Sequence, residues 1–173
     1  MTRGGTSSGS FCGRGGNVSS PTTVLVIDDE ASIRRLIQRM LEPNLCQVVE
    51  AEDAEAGLRL IQRADPPIDV VLTDWIMSGL HGLDVVEVLH RHCPRLPVAV
   101  ISAYTSTIHP IVRKGESLRI LQKPFTGPDL QRAVQEMIGR ALRQRTSARA
   151  YKGATVDLVN AAWELHHARA GRP

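Results

Sequence analysis

Aromatic residues are scarce in this 173-residue chain: two Phe, two Tyr and two Trp make up 3% of it. The core must be filled by Val, Leu, Ile and Ala, and there are too few rings to build platforms for stacking single-stranded nucleic acid bases. Cysteine is equally sparse. Cys12, Cys46 and Cys93 form no Cys-x-x-Cys pair and no Cys/His spacing, which argues against a disulfide framework or a zinc site and suits a reduced, cytoplasmic setting. No apolar run approaches the roughly 18 residues of a membrane span. A large charge excess is also lacking, since 21 bases against 18 acids leave +3. Averaged over the chain, that is too little to indicate a nucleic-acid partner.

What is present fits one ordinary domain with tails, and 42% apolar with 23% charged residues is enough to bury a core. The charge is unevenly placed. Residues 24–138 hold 12 bases and 16 acids, whereas residues 139–173 hold 7 bases and 2 acids. The body is acidic and the basic character belongs to the ends. Residues 1–21, rich in Gly and Ser, read as a flexible tail. Arg3 and Arg14 without acids suit an organelle transit peptide, but Phe11 and Val18 cannot make an apolar helix face. A disordered start, or a start codon set too far upstream, is the expectation.

From Val24 onward, short apolar runs alternate with helical patterns five times. The runs are 24–27, 47–51, 69–74, 98–102 and 119–122. Between them lie Ile33, Leu36, Ile37, Met40 and Leu41 at one-face helix spacing, then Ala54, Leu58 and Ile61 behind an Asp53 cap, then Leu83, Val86, Leu89 and His90. Pro128 and Asp129 open a last helix of the repeat. The segment 106–117, with Pro110 and Gly115, predicts a short or irregular helix. Continuous apolar strands without polar alternation predict a doubly wound parallel sheet with helices on both faces. In such α/β folds the functional crevice lies at the carboxyl ends of the strands.

Those ends present Asp28 and Asp29, Asp74, Ser102 and Lys123. Three crowded carboxylates raise one another's pKa unless a cation sits among them. Oxygen ligands with room for water suit Mg²⁺, and a Lys and a small hydroxyl beside them suit a phosphoryl group, whose transfer is mostly positioning and charge neutralisation. Each piece alone is as well explained by a turn, a cap or a backbone-bonded hydroxyl. Their placement on successive strand ends is what carries the reading.

With VLVIDDE at 24–30, VVLTDW at 70–75, VAVISAY at 98–104 and LQKPF at 121–125, the chain resembles the response-regulator receiver domain of two-component signalling over about residues 22–144. The resemblance implies a flavodoxin-like five-stranded sheet of order 2-1-3-4-5. It implies that Asp74 accepts a phosphoryl group from a histidine kinase or histidine phosphotransfer protein, with Mg²⁺ as cofactor. Asp29, Asp74 and the backbone carbonyl of Ile76 would bind the metal directly, with Asp28 acting mainly through water. Ser102 would bond the phosphoryl oxygen and move with it, Lys123 would pair with the phosphate, and the Lys123–Pro124 bond would be cis. Such a protein is a signalling switch acting on an unknown downstream protein, not a metabolic enzyme, with limited self-phosphorylation and self-dephosphorylation, and is a monomer or weak homodimer.

Two departures matter. The loop Met77-Ser78-Gly79-Leu80-His81-Gly82 lacks the family's usual proline, and Ile120 stands where an aromatic switch partner is usual. Ile76 and Tyr104, each two residues past a site residue, carry no acid or amide to orient an attacking water, which predicts slow loss of phosphate. The six histidines are not needed for this chemistry, and His166-His167 reads as surface.

Residues 145–173 form a basic extension, too short for a DNA-binding output domain. Val156, Val159, Ala162 and Trp163 predict an amphipathic helix of about four turns that packs back on the domain, docks a partner or dimerises. DNA binding through this tail is the alternative function. A metal-dependent phosphatase is disfavoured, because Asp74 is followed two positions on by Ile76 rather than by an acid.

Overall fold

A computed structural model describes residues 21–44, 46–64, 67–104, 118–144 and 156–171. The tail through residue 20, the expected irregular helix at 106–117 and the basic run at 145–155 lie outside the described residues. The five expected strands all form: β1 Thr23–Ile27, β2 Gln47–Ala51, β3 Val70–Asp74, β4 Val98–Ser102 and β5 Leu118–Gln122. They pair in parallel as β2-β1-β3-β4-β5. Helices α1 (Ala31–Leu41), α2 (Ala54–Arg63), α3 (Gly82–His92), α4 (Gly127–Gln144) and α5 (Leu158–Ala170) cover it. None of them is long and apolar enough to cross a membrane.

Side chains alternate across a strand, and the sheet therefore builds two cores. Leu25, Ile27, Val71, Val98 and Val100 face α2, α3 and α5, whereas Val24, Val26, Val70, Leu72, Ala99 and Ile101 face α1 and α4. Central strands β1 and β4 are wholly buried, while edge strands β2 and β5 are half-exposed. The close seating of α2 depends on Gly57, where a Cβ would come within 2.4 Å of Ile27 Cδ1. Asp53 caps α2, its carboxylate accepting the Ala56 N–H at 2.6 Å, as expected for that residue at that position. Thr126 and Asp129 bond reciprocally at the start of α4, and Gln131 ties α4 to α1 by donating to the Met40 carbonyl at 2.6 Å.

Three details of the helical reading are corrected. Leu36 is 44% exposed although its spacing puts it on the apolar face of α1. On α3 the buried set is Gly82, Asp84, Val85, Val86, Val88 and Leu89, so the buried face is rotated away from His90 and takes in an acid. The C-terminal helix starts at Leu158, buries Leu158 and Ala162, and leaves Val156 outside it. It packs back on α2 and α3, the first of the three placements expected for it.

Candidate functional site

Strand register brings the chemistry together. Ile27 pairs with Thr73, so the next residues, Asp28 and Asp74, emerge side by side from β1 and β3. Asp74 is in register with Ile101, and Ser102 with Gln122, which places Ser102 and Lys123 on the adjoining strand ends. Ser102 and Lys123 are joined directly, the Lys123 N–H donating to the Ser102 carbonyl at 2.8 Å. The Lys123–Pro124 peptide is cis.

Lys123 is the centre of charge. Its Nζ donates to Asp74 Oδ1 at 2.7 Å and stands 3.7 Å from Asp28 Oδ2. Burial works against the Lys123 charge, but the hydrogen bond to Asp74 and the charges of Asp74 and Asp28 outweigh it, and its pKa lies above the ordinary lysine value. Asp28 is shifted up, chiefly by burial, against the opposing pull of the Glu30 N–H and Lys123. Its Oδ1 accepts that N–H at 2.8 Å, whereas its buried Oδ2 has no hydrogen-bond partner. A buried carboxylate oxygen without a donor fits a cation, because an uncompensated buried charge is costly.

The remaining expected residues are placed as follows. Asp74 Oδ2 accepts the Ile76 N–H at 3.3 Å, so the Ile76 peptide lies against the acid. The Ser102 hydroxyl is buried and accepts the Tyr104 N–H at 3.0 Å, which leaves its own proton for another acceptor. Asp29 is exposed at the mouth. Among the described residues no three carboxylates, imidazoles or thiolates are already gathered at ligand distance; the carboxylates are neutralised through Lys123 instead. Ile76 and Tyr104 border the site as exposed apolar groups, 56% and 63% accessible.

Sequence reasoning missed three contributors. Arg34 reaches under the site, its Nη1 donating to the Asp28 carbonyl at 2.7 Å while its Nε pairs with Glu50 at 3.0 Å. Gly82 donates to the Trp75 carbonyl at 3.1 Å and lies so near the Asp74 carbonyl that a Cβ would come within 2.2 Å of its oxygen. Asp84 is fully buried in the first turn of α3. The glycines of the loop were visible as a motif, but the contact of Gly82 with the backbone of Asp74 was not. His166, read as surface, is half-buried against Asp84 at 3.1 Å.

Residues 24–135 match the response regulator receiver domain family. The chain is 34% identical over 122 residues to the response regulator protein PilR of Pseudomonas aeruginosa, an alignment covering 70% of this chain and 26% of that protein. It is 37% identical over 82 residues to the phosphate regulon transcriptional regulatory protein PhoB of Klebsiella pneumoniae, covering 46% and 35% respectively. The chain thus spans about a third or less of the length of these two relatives. Among solved structures, a response regulator receiver domain protein from Clostridium thermocellum superposes with a TM-score of 0.65 at 30% identity, over 71% of this chain and 98% of that one.

Proposed function

Because the chain belongs to the response regulator receiver domain family, we propose that it is a phospho-acceptor switch in which Asp74 takes a phosphoryl group from a histidine of a sensor kinase or phosphotransfer protein and passes the signal on by protein contact. The observation that carries this is the ion pair of Lys123 with Asp74 at 2.7 Å, beside a buried Asp28 oxygen that lacks a hydrogen-bond partner. In the step itself, an Asp74 carboxylate oxygen attacks phosphorus. The phosphorus–nitrogen bond of the phosphohistidine breaks, and the imidazole nitrogen leaves with the electron pair and takes a proton.

Asp28, Asp29, Asp74 and the Ile76 carbonyl would hold Mg²⁺, which when bound offsets charge on the phosphoryl oxygens. Lys123 sits within reach of the product's phosphate, and the Ser102 hydroxyl has its proton to donate. Arg34 fixes the Asp28 backbone from below. Incubation with Mg²⁺ and acetyl phosphate is expected to add one phosphoryl mass to the intact protein, and a chelator added beforehand is expected to prevent it. No mass gain with Mg²⁺ present defeats the proposal.

The exposed Ile76 and Tyr104 side chains offer neither a base nor an amide to a water approaching the acyl phosphate. Decay over minutes or longer is expected, and Ile76→Asn is expected to shorten it. Decay within seconds, unchanged by Ile76→Asn, contradicts this reading. As for the DNA-binding alternative, Arg169 of the basic extension is paired with Asp84 and Glu87, so its charge is already compensated within the domain while α5 is docked.

A further inference from the structure

The C-terminal helix does more than cover an apolar face. The segment leading into it is tied to α2 by Gln62, whose Nε2 donates to the Val156 carbonyl at 2.8 Å, and its middle by Trp163, whose Nε1 donates to Glu55 Oε1 at 3.2 Å. Its last turns bring His166 and Arg169 onto Asp84. The carboxylate of Asp84 is shared: Oδ2 accepts the His81 N–H at 2.8 Å and faces His166 Nδ1 at 3.1 Å, while Oδ1 forms an ion pair with Arg169 that has no aligned hydrogen bond. A carboxylate this deeply buried is stable only when it is paired and hydrogen-bonded, and the α3 N-terminus supplies only part of that compensation. Two of its partners come from α5.

On its other side, Asp84 sets the turn that closes the acceptor loop. His81, held by Asp84, receives the Met77 N–H on its Nδ1 at 3.4 Å. The adjoining Gly82 donates to the Trp75 carbonyl and packs on the carbonyl of Asp74 with no room for a Cβ. The loop from Trp75 to His81 is therefore pinned at one end by β3 and at the other by Asp84, and Ile76 lies between.

We propose that Asp84, His166 and Arg169 are positioning residues for the reaction at Asp74: through the His81–Gly82 turn, the C-terminal helix holds the Ile76 peptide where it can serve the cation. This rests on the reading of Asp74 as a Mg²⁺-dependent acceptor. It goes further by giving the extension outside the receiver repeat a role in that reaction.

The test uses the full chain. Mg²⁺ is titrated while the indole N–H resonance of Trp75 is followed by NMR, and the labelling rate with acetyl phosphate is measured by intact mass. The Trp163 indole resonance reports in the same spectra whether α5 stays docked. Arg169→Gln is expected to weaken Mg²⁺ binding about tenfold, the low end for loss of a group that orients a ligand, and to slow labelling in parallel, with Arg169→Lys recovering most of both. Wild-type Mg²⁺ affinity and labelling rate in Arg169→Gln overturn the proposal, whether or not Trp163 has moved. His166→Asn, a milder change, keeps the question decidable should Arg169→Gln not fold: a shift in the same direction supports the proposal and unchanged affinity and rate overturn it. Failure of the underlying reading appears separately, as wild-type protein that neither takes label nor shifts Trp75 with Mg²⁺, or as Asp74→Asn that labels like wild type.

Discussion

Lys123→Ala is expected to slow phosphorylation of Asp74 by about 10²–10³-fold, the usual effect of removing one preorganised group aimed at developing charge. Lys123 touches Asp74 Oδ1 at 2.7 Å, and no other described side chain forms an ion pair with Asp74. The same substitution changes the resting protein. Asp28, 2% exposed, loses its nearby cation and keeps an unpartnered Oδ2. Breaking a fully buried pair costs about 3–5 kcal/mol. With Lys123 at 29% side-chain exposure, water screens part of that, so about 1–3 kcal/mol of stability should be lost without Mg²⁺.

A cation competes with Lys123 for the same carboxylates, so the variant should bind Mg²⁺ at least as tightly as wild type and gain more thermal stability from it. Melting curves with and without Mg²⁺, beside labelling rates, check both halves. Tighter metal binding with slower chemistry is the distinguishing pattern. Labelling at the wild-type rate contradicts the role given to Lys123.

Among the described glycines, Gly82→Ala is expected to add the most damaging methyl group. The added Cβ would sit 2.2 Å from the Asp74 carbonyl oxygen and 3.1 Å from Trp75 Cα. Both are backbone atoms of the acceptor segment and cannot rotate away. Overpacking costs about 1–3 kcal/mol and occasionally more, and here the upper end is expected because only a shift of α3 or of the loop relieves the clash. Either shift moves the Ile76 peptide relative to Asp74, so labelling should fall with stability. Gly57→Ala is the control: its Cβ would overlap the buried Ile27 side chain, at 2.4 Å from Cδ1 and 2.8 Å from Cγ1, rather than the backbone of the acceptor loop, and it should lose stability without a matching loss of labelling. Denaturant midpoints and labelling rates on both variants check this. A Gly82→Ala protein that labels normally contradicts the close coupling of α3 to the acceptor.

The features that could be read from the sequence were those encoded locally. Each strand is a short apolar run ending in a polar group, and the order of those endings, Asp28, Asp74, Ser102 and Lys123, fixes the edge where they meet once the sheet is doubly wound. Asp53 as a cap and Pro128 as a helix opener are likewise local signals. Long-range pairing left no such trace. An acid in the first turn of a helix, such as Asp84, reads as a complement to the helix dipole on a wet surface, whereas its burial depends on His166, 82 positions away. The apolar residues of α5 do not form one clean stripe, so its docked face could not be assigned from spacing. Leu83 and His90 misled in the same way, because the face α3 buries is set jointly by β3, α2 and α5. The exposure of Asp29 and the central place of Lys123 were out of reach as well, since they depend on how neighbouring charges share one small volume.

The most direct measurement of the central claim locates the phosphoryl group chemically. Protein labelled with acetyl phosphate and Mg²⁺ is treated with borohydride, which reduces an aspartyl acyl phosphate to homoserine, and the peptide spanning Asp74 is then sequenced by mass spectrometry. Homoserine at position 74, absent when Mg²⁺ is chelated, is the predicted result. Homoserine at Asp28, Asp29 or elsewhere with Asp74 intact, or label retained as a borohydride-resistant phosphate, would contradict it.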